Sequence, residues 1–382
     1  MDTALELPPL SLYVHIPWCV RKCPYCDFNS HAASNEIPEQ AYIKALIADL
    51  QQDQKWAQGR KLTSIFFGGG TPSLFSAAGI GQILNAAERL IGFERDIEIT
   101  LEANPGTAEQ EKFSGFRSAG VNRLSIGIQS FNHQHLLQLG RIHDGAQALS
   151  AIETARRAGF DNFNLDLMHG LSGQTVDQAR SDLQQAIDSS ATHISWYQLT
   201  IEPNTEFYSR PPQLPEEDAL VDIQQAGMAL LDEHSYRQYE VSAFAQQGQR
   251  SQHNMNYWQF GDYLGVGAGA HGKITMPAEN CILRTSKTRQ PDNYLARDPL
   301  TLAQQNPIAV NELAVEFMMN GLRLRDGLSA DYFTPRTGLP ASSIAKQVAK
   351  LQSQGLLEVG DRRYQATPLG YQFLNSLLQG FS

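Results

Sequence analysis

Over roughly the first two hundred residues, short apolar, β-branched runs alternate with longer stretches in which apolar residues recur at helical spacing. The short runs predict strands over Ser11 to Pro17, Ser64 to Gly70, Glu98 to Pro105, Arg123 to Ser130, Asn162 to Gly170 and His193 to Glu202. Helical periodicity falls between them on Pro38 to Ala57, Ser76 to Leu90, Thr107 to Ala119, Asn132 to Leu139 with Gly145 to Ala158, and Thr175 to Ser189. Six βα units in series call for a parallel sheet, because each crossover helix brings the chain back to start the next strand in the same direction. Curling that sheet gives an α/β fold with a full or partial barrel, whose functional groups gather at the carboxyl ends of the strands.

From about Asn306 the pattern turns helical, with Asn311 to Arg323, Ala341 to Gly355 and Pro368 to Leu378 as the main segments and a hairpin over Leu356 to Ala366 centred on Gly360-Asp361. This suggests a small winged-helix-like unit at residues 301–382, following a larger unit at residues 1–300. A winged helix raises DNA binding, but seven Lys and Arg against six Asp and Glu in residues 306–382 leave only +1, and the whole chain carries −10. Phosphate binding needs clustered positive charge, so no nucleic-acid partner is expected, and a lid or scaffold over the barrel mouth is the more economical role.

The chain is 42% hydrophobic over 382 residues, enough to bury a large core. Only four cysteines are present and three are crowded together, which speaks for a reducing compartment rather than a disulfide-stapled exterior. Met1 to Pro9 lacks a basic flank and a long apolar stretch, so no signal peptide or membrane span is expected and the location read is cytoplasmic.

The crowded cysteines are Cys19, Cys23 and Cys26, spaced C-x3-C-x2-C just after the first strand. Three thiolates on one loop can hold three corners of an iron–sulfur cube and leave one iron open. The alternative is a closed zinc tetrahedron completed by His15, His31 or Cys281, and a disulfide is the weakest reading. Zinc modules usually offer two separated ligand pairs, which favours the cluster. After the second strand, Gly68-Gly69-Gly70-Thr71-Pro72 lacks the Gly-Lys-Ser/Thr of a P-loop, and its bare backbone would let N–H groups approach a ligand. Glu102, Gln129 and Asp166 fall at or near the ends of later strands and so on the same rim. Further on, Gly267 to Gly272 spells G-x-G-x-x-G, but a proline-broken segment follows where a dinucleotide fold needs a helix, so a close-packed glycine strand bordering the pocket is expected.

The triplet, with Tyr13-Val14-His15-Ile16-Pro17-Trp18-Cys19, Gly68 to Pro72 and Asn164-Leu165-Asp166-Leu167-Met168-His169-Gly170, resembles the coproporphyrinogen oxidase branch of the radical S-adenosylmethionine superfamily, from about Leu7 to the C-terminus. The resemblance implies a partial parallel (β/α)6 barrel with a [4Fe-4S] cluster on Cys19, Cys23 and Cys26, and S-adenosylmethionine on the open iron. Carried over position by position, Tyr13, Tyr25, Gly69, Gly70, Thr71, Glu102, Gln129, Arg141 and Asp166 would line the S-adenosylmethionine site. The oxidising enzymes carry another cysteine two positions past the third ligand and an N-terminal extension; here Phe28 stands at that position and the first strand starts almost at once.

Those departures point to a sister group of heme chaperones, whose H-N-x-x-Y-W signature is matched by His253-Asn254-Met255-Asn256-Tyr257-Trp258. On residues alone that segment reads as core packing or capping; the resemblance turns His253, Asn254, Tyr257 and Trp258 into heme-site residues, with His271 and Cys281 as reserve ligands. The function it implies is heme binding and transfer to apo-hemoproteins, respiratory ones among them, by a monomer or an S-adenosylmethionine-dependent dimer. The alternative is oxygen-independent coproporphyrinogen III oxidation, so catalytic turnover stays open.

Overall fold

In the computed structural model, which describes residues 4–33, 36–298, 301, 303–360 and 362–381, the apolar runs become neighbours in one sheet. Strands β1 (Leu10–Ile16), β2 (Leu62–Gly69), β3 (Phe93–Ala103), β4 (Arg123–Gln129), β5 (Phe163–His169) and β6 (His193–Gln198) pair in chain order, all parallel. Helices cover the sheet, so β1 and β4 are almost continuously buried rather than alternating. These connecting helices are α1 (Glu39–Asp53), α2 (Ala77–Leu90), α3 (Phe113–Ala119), α4 (Gly145–Arg157) and α5 (Val176–Asp188). Their starts are written locally: Ser76 caps α2, and capping boxes of Asp144 with Gln147 and Thr175 with Gln178 open α4 and α5.

The sheet continues beyond the six expected strands. After α6 (Glu217–Glu233), strand β8 (Ala243–Ala245) pairs antiparallel with β6, and β7 (Arg237–Glu240) pairs antiparallel with β8 at the sheet edge. Helix α7 (Gln252–Trp258) then carries the chain to the opposite edge, where β9 (Asp262–Val266) adds to β1 as a further parallel strand. Strands β10 (His271–Met276), β11 (Cys281–Ser286) and β12 (Gln304–Pro307) complete that side antiparallel, giving a 12-stranded sheet among the described residues. The glycine-rich segment is the turn from β9 to β10, with Gly267 and Gly269 at φ of 104° and 77°, and a strand follows it rather than a helix.

Helix α6 escaped the periodicity reading because its stripe is blurred. Val221 and Met228 stay exposed, and Gly227 sits on the packed face, where a Cβ would lie 2.0 Å from the Trp196 ring. Close approach to β6 therefore comes from a missing side chain, which a hydrophobicity count does not register.

The C-terminal region holds α8 (Val310–Gly321), α9 (Ala345–Ser353) and the hairpin of β13 (Leu357–Gly360) and β14 (Arg363–Ala366), which the short strand Leu328–Ser329 joins. Asp361, at the expected turn, lies outside the described residues. Phe317, Phe333 and Leu377 form its core together with Leu5, Phe260 and Ile282 from the other side. No helix among the described residues is long and apolar enough to cross a membrane.

Candidate functional site

β1 delivers the chain to the cysteine loop at the carboxyl end of the sheet. Pairing of Trp18–Cys19 with His31–Ala32 closes the loop at its base. Inside it, the Cys26 N–H donates to the Cys23 carbonyl at 3.1 Å, and Lys22 Nζ donates to the carbonyls of Phe28 and Ser30 at 3.3 and 3.2 Å. Lys22 thus ties the loop together.

Cys19 is buried, Cys23 and Cys26 are half-buried, and all three line one cavity of about 250 Å³. Burial, with Cys26 and Cys23 close by, pushes the Cys19 thiol up to about 11. Three sulfurs spread round a cavity suit a polynuclear group better than a zinc ion. The zinc reading also lacks its fourth ligand. His15 has Nδ1 on the Tyr13 hydroxyl at 2.8 Å and Nε2 on the Asn29 carbonyl at 2.9 Å, His31 contacts the Asn29 side chain at 3.1 Å, and Cys281 lies on β11 away from the lining. All four cysteines are free thiols.

The glycine run at the end of β2 serves a purpose other than the expected one. Its N–H groups are already spent: Gly69 on Glu102 Oε2 at 3.2 Å, Gly70 on the Ile16 carbonyl at 2.8 Å and Thr71 on the Trp18 carbonyl at 2.7 Å. A Cβ on Gly70 would lie 2.4 Å from the Trp18 carbonyl, and one on Gly69, at φ 118°, 2.5 Å from the His15 ring. The glycines therefore let the cysteine segment lie directly against the sheet.

Tyr25, Gly69, Gly70, Thr71, Glu102, Gln129, Arg141 and Asp166 all line the cysteine cavity. Tyr13 faces a second, larger cavity instead. Gln129 is held at φ 69°, beside a register shift between β4 and β5, and accepts from the Tyr197 hydroxyl at 2.7 Å. Arg141 reaches the Asn104 side chain at 2.6 Å and the Gly127 carbonyl at 2.7 Å through Nη2, and Cys23 Sγ at 3.6 Å through Nη1. Burial first, then the charge of Asp166, lifts the Glu102 carboxyl to about 8. Asp166 is also raised by burial, although Ser125 and Asn164 hydrogen-bond to it at 2.9 and 2.8 Å. Two half-buried carboxyls side by side favour a guest with a positive charge or hydroxyls to donate. Asn104, Ser125 and Tyr197 went unnamed from the sequence, yet the rule that strand ends face the site covers the first and last of them.

The larger cavity, of about 980 Å³, shares Phe28, Gly69 and Glu102 with the smaller one. Phe66, Tyr257, Trp258 and Tyr263 supply aromatic wall, and Lys273, Arg284, Lys287, Arg289 and Arg297 supply positive charge. His253 and Asn254, expected to meet heme directly, line neither cavity. His253 is buried and stacks on Phe66 with centroids 4.2 Å apart, and its Nδ1 contacts Glu98 at 3.1 Å and the Ser251 hydroxyl at 3.0 Å. Asn254 reaches the Tyr239 hydroxyl at 3.4 Å. Glu98 also accepts the N–H groups of Gln252 and His253, so it anchors the start of α7. Burial opposes a charge there, but His253, Arg123 and the Gln252 N–H together pull Glu98 down to about 2. Burial keeps His253 below its usual value. His271, held in reserve, does line the larger cavity.

The Radical SAM superfamily model matches residues 13–186 and that of the HemN C-terminal domain residues 308–373. The chain is 52% identical to the heme chaperone HemW of Haemophilus influenzae, covering 98% of each, and 49% identical to the heme chaperone HemW of Escherichia coli, covering 99% of each. A mitochondrial radical S-adenosyl methionine domain-containing protein 1 of Bos taurus is 36% identical over 96% of this chain and 86% of that one. Among solved structures, coproporphyrinogen III oxidase (HemN) from Escherichia coli, a radical SAM enzyme, matches with a TM-score of 0.82 at 23% identity, over 100% of this chain and 92% of that one, which speaks to the fold.

Proposed function

Because the chain belongs to the heme chaperone HemW family of radical SAM proteins, we propose that it binds heme and hands it to apo-hemoproteins, with a [4Fe-4S] cluster and S-adenosylmethionine bound beside the heme. The observation that carries this reading is the pair of adjoining cavities, one ringed by three thiols and half-buried carboxyls, the other large, aromatic and rimmed with positive charge. When bound, the cluster supplies an open iron and an electron. Cys19, Cys23 and Cys26 would hold it, and Arg141, within reach of Cys23, would balance its negative charge. Glu102 and Asp166 would receive the ammonium and ribose hydroxyls of S-adenosylmethionine, with Tyr25, Gly69, Gly70, Thr71 and Gln129 shaping its seat and Tyr13 meeting it from the larger cavity.

In the larger cavity Tyr257 and Trp258 offer flat surface to the tetrapyrrole. His253 and Asn254 serve that wall by fixing the helix that carries it. Residues 1–300 are read as the cofactor-bearing unit and 301–382 as its scaffold, working in the cytoplasm on acceptors that include respiratory hemoproteins.

Anaerobic titration of the cluster-loaded protein with heme, run beside an assay for coproporphyrinogen III conversion, tests the reading. Stoichiometric heme uptake without porphyrinogen turnover is expected. Sustained protoporphyrinogen formation would overturn it in favour of the oxidase.

A further inference from the structure

The larger cavity has two imidazoles in its wall, and they are not equivalent. Both ring nitrogens of His15 are engaged, by the Tyr13 hydroxyl and the Asn29 carbonyl. His271, the first residue of β10, pairs with Ser286 across the β10–β11 hairpin, which fixes its backbone. Two residues on, Lys273 pairs with Arg284, and the two-residue period of a strand puts all four side chains on the face that lines the cavity. Among the described residues the His271 ring has no hydrogen-bond partner, and partial desolvation by the cavity wall, with Arg284 and Arg289 nearby, disfavours its protonation. A neutral imidazole with a spare lone pair is what iron coordination needs.

The positive charges of the cavity sort in the same way. Lys273 is paired with Asp262, Arg284 with Glu316, Lys287 with Asp53, and Arg297 with Asp49. The Arg289 guanidinium reaches only the Asn29 side-chain oxygen, at 3.4 Å, while the Arg289 carbonyl accepts from Asn29 Nδ2 at 2.9 Å, and among the described residues the guanidinium has no carboxylate partner. A free guanidinium beside a free imidazole suits a guest that presents a metal and a carboxylate at once.

We infer that His271, rather than His253, is the iron ligand of heme in the larger cavity, and that Arg289 takes one of the ring's carboxylates. The inference rests on the heme reading above and sharpens it. The bond formed is a dative one from an imidazole nitrogen to iron, with no change in oxidation state.

Heme titrations followed in the Soret region test it on the full chain, with the dimethyl ester of heme as a second probe. His271→Ala is expected to weaken heme binding at least about tenfold and to shift the Soret band. His271→Met should give a different but defined spectrum. Arg289→Ala should erase the preference of the wild-type protein for heme over the ester. His253→Ala should keep the wild-type Soret position while lowering thermal stability. Since His271 is exposed at the cavity rim, its substitution leaves the core intact. A His271→Ala variant with unchanged affinity and spectrum, or a His253→Ala variant that alone loses them, overturns the ligand assignment and leaves the chaperone reading standing. A wild-type protein that takes up no heme overturns both.

Discussion

Glu102 is held uncharged by its surroundings at the very place where a cationic guest would want it ionised. Its folded value, about 8, lies above the ordinary 4.5, so its contribution to stability is fully present below pH 4.5 and fades as pH rises towards 8. Glu102→Gln is therefore expected to raise the melting temperature of the ligand-free protein at pH 8 and to weaken S-adenosylmethionine binding at least about tenfold, read by calorimetry. The cysteines, proposed as cluster ligands, differ in having little share in the core. Changing Cys19, Cys23 or Cys26 to Ala should abolish the broad visible absorbance of the cluster while circular dichroism stays that of the folded protein, because the barrel core does not depend on the loop. Retained colour would refute the ligand set. Such residues were legible because thiolate chemistry fixes both their type and their spacing. The role of Gly69 and Gly70 was not, since a need for close approach by the Trp18 segment leaves no mark beyond the glycine itself.

Strands β1 to β6 and their connecting helices were all legible in order, some within a residue and others, such as the start of β3 and the end of β6, missed by four or five, because a parallel sheet buried on both faces writes apolar runs and several of its helices carry explicit caps. The second edge was harder. Strands β9 to β11 mix apolar and polar residues without a clean alternation, and only the pairing of β9 with β1 makes them part of the barrel. For α7 the signature His253 to Trp258 was found, and the contacts that hold its first residue and the helix against Glu98 left no mark in the sequence. Glu98→Gln should cost about 1–3 kcal/mol of stability, measured by denaturant unfolding, because the N–H groups of Gln252 and His253 lose their charged acceptor. The folded value of Glu98, about 2, lies below 4.5, so its stabilisation is present above pH 4.5 and is lost as pH falls towards 2. Acid unfolding of the variant should accordingly show a shallower dependence across that window.

The C-terminal region does not close its own core, since Phe317 and Phe333 pack with Phe260 and Ile282 from the sheet side. Phe317→Ala is expected to cost about 3–5 kcal/mol and to lower the unfolding midpoint seen by probes of both regions, not of the C-terminal one alone. Phe28, Gly69 and Glu102 belong to both chambers, so each guest alters a partition that the other also touches. Titrations in the two orders should return the same coupling factor, whether favourable or not, because the sum round the cycle is zero. Whatever advantage the sulfonium nucleoside lends the tetrapyrrole is repaid in kind, and a cell short of one would find the protein correspondingly reluctant to keep the other.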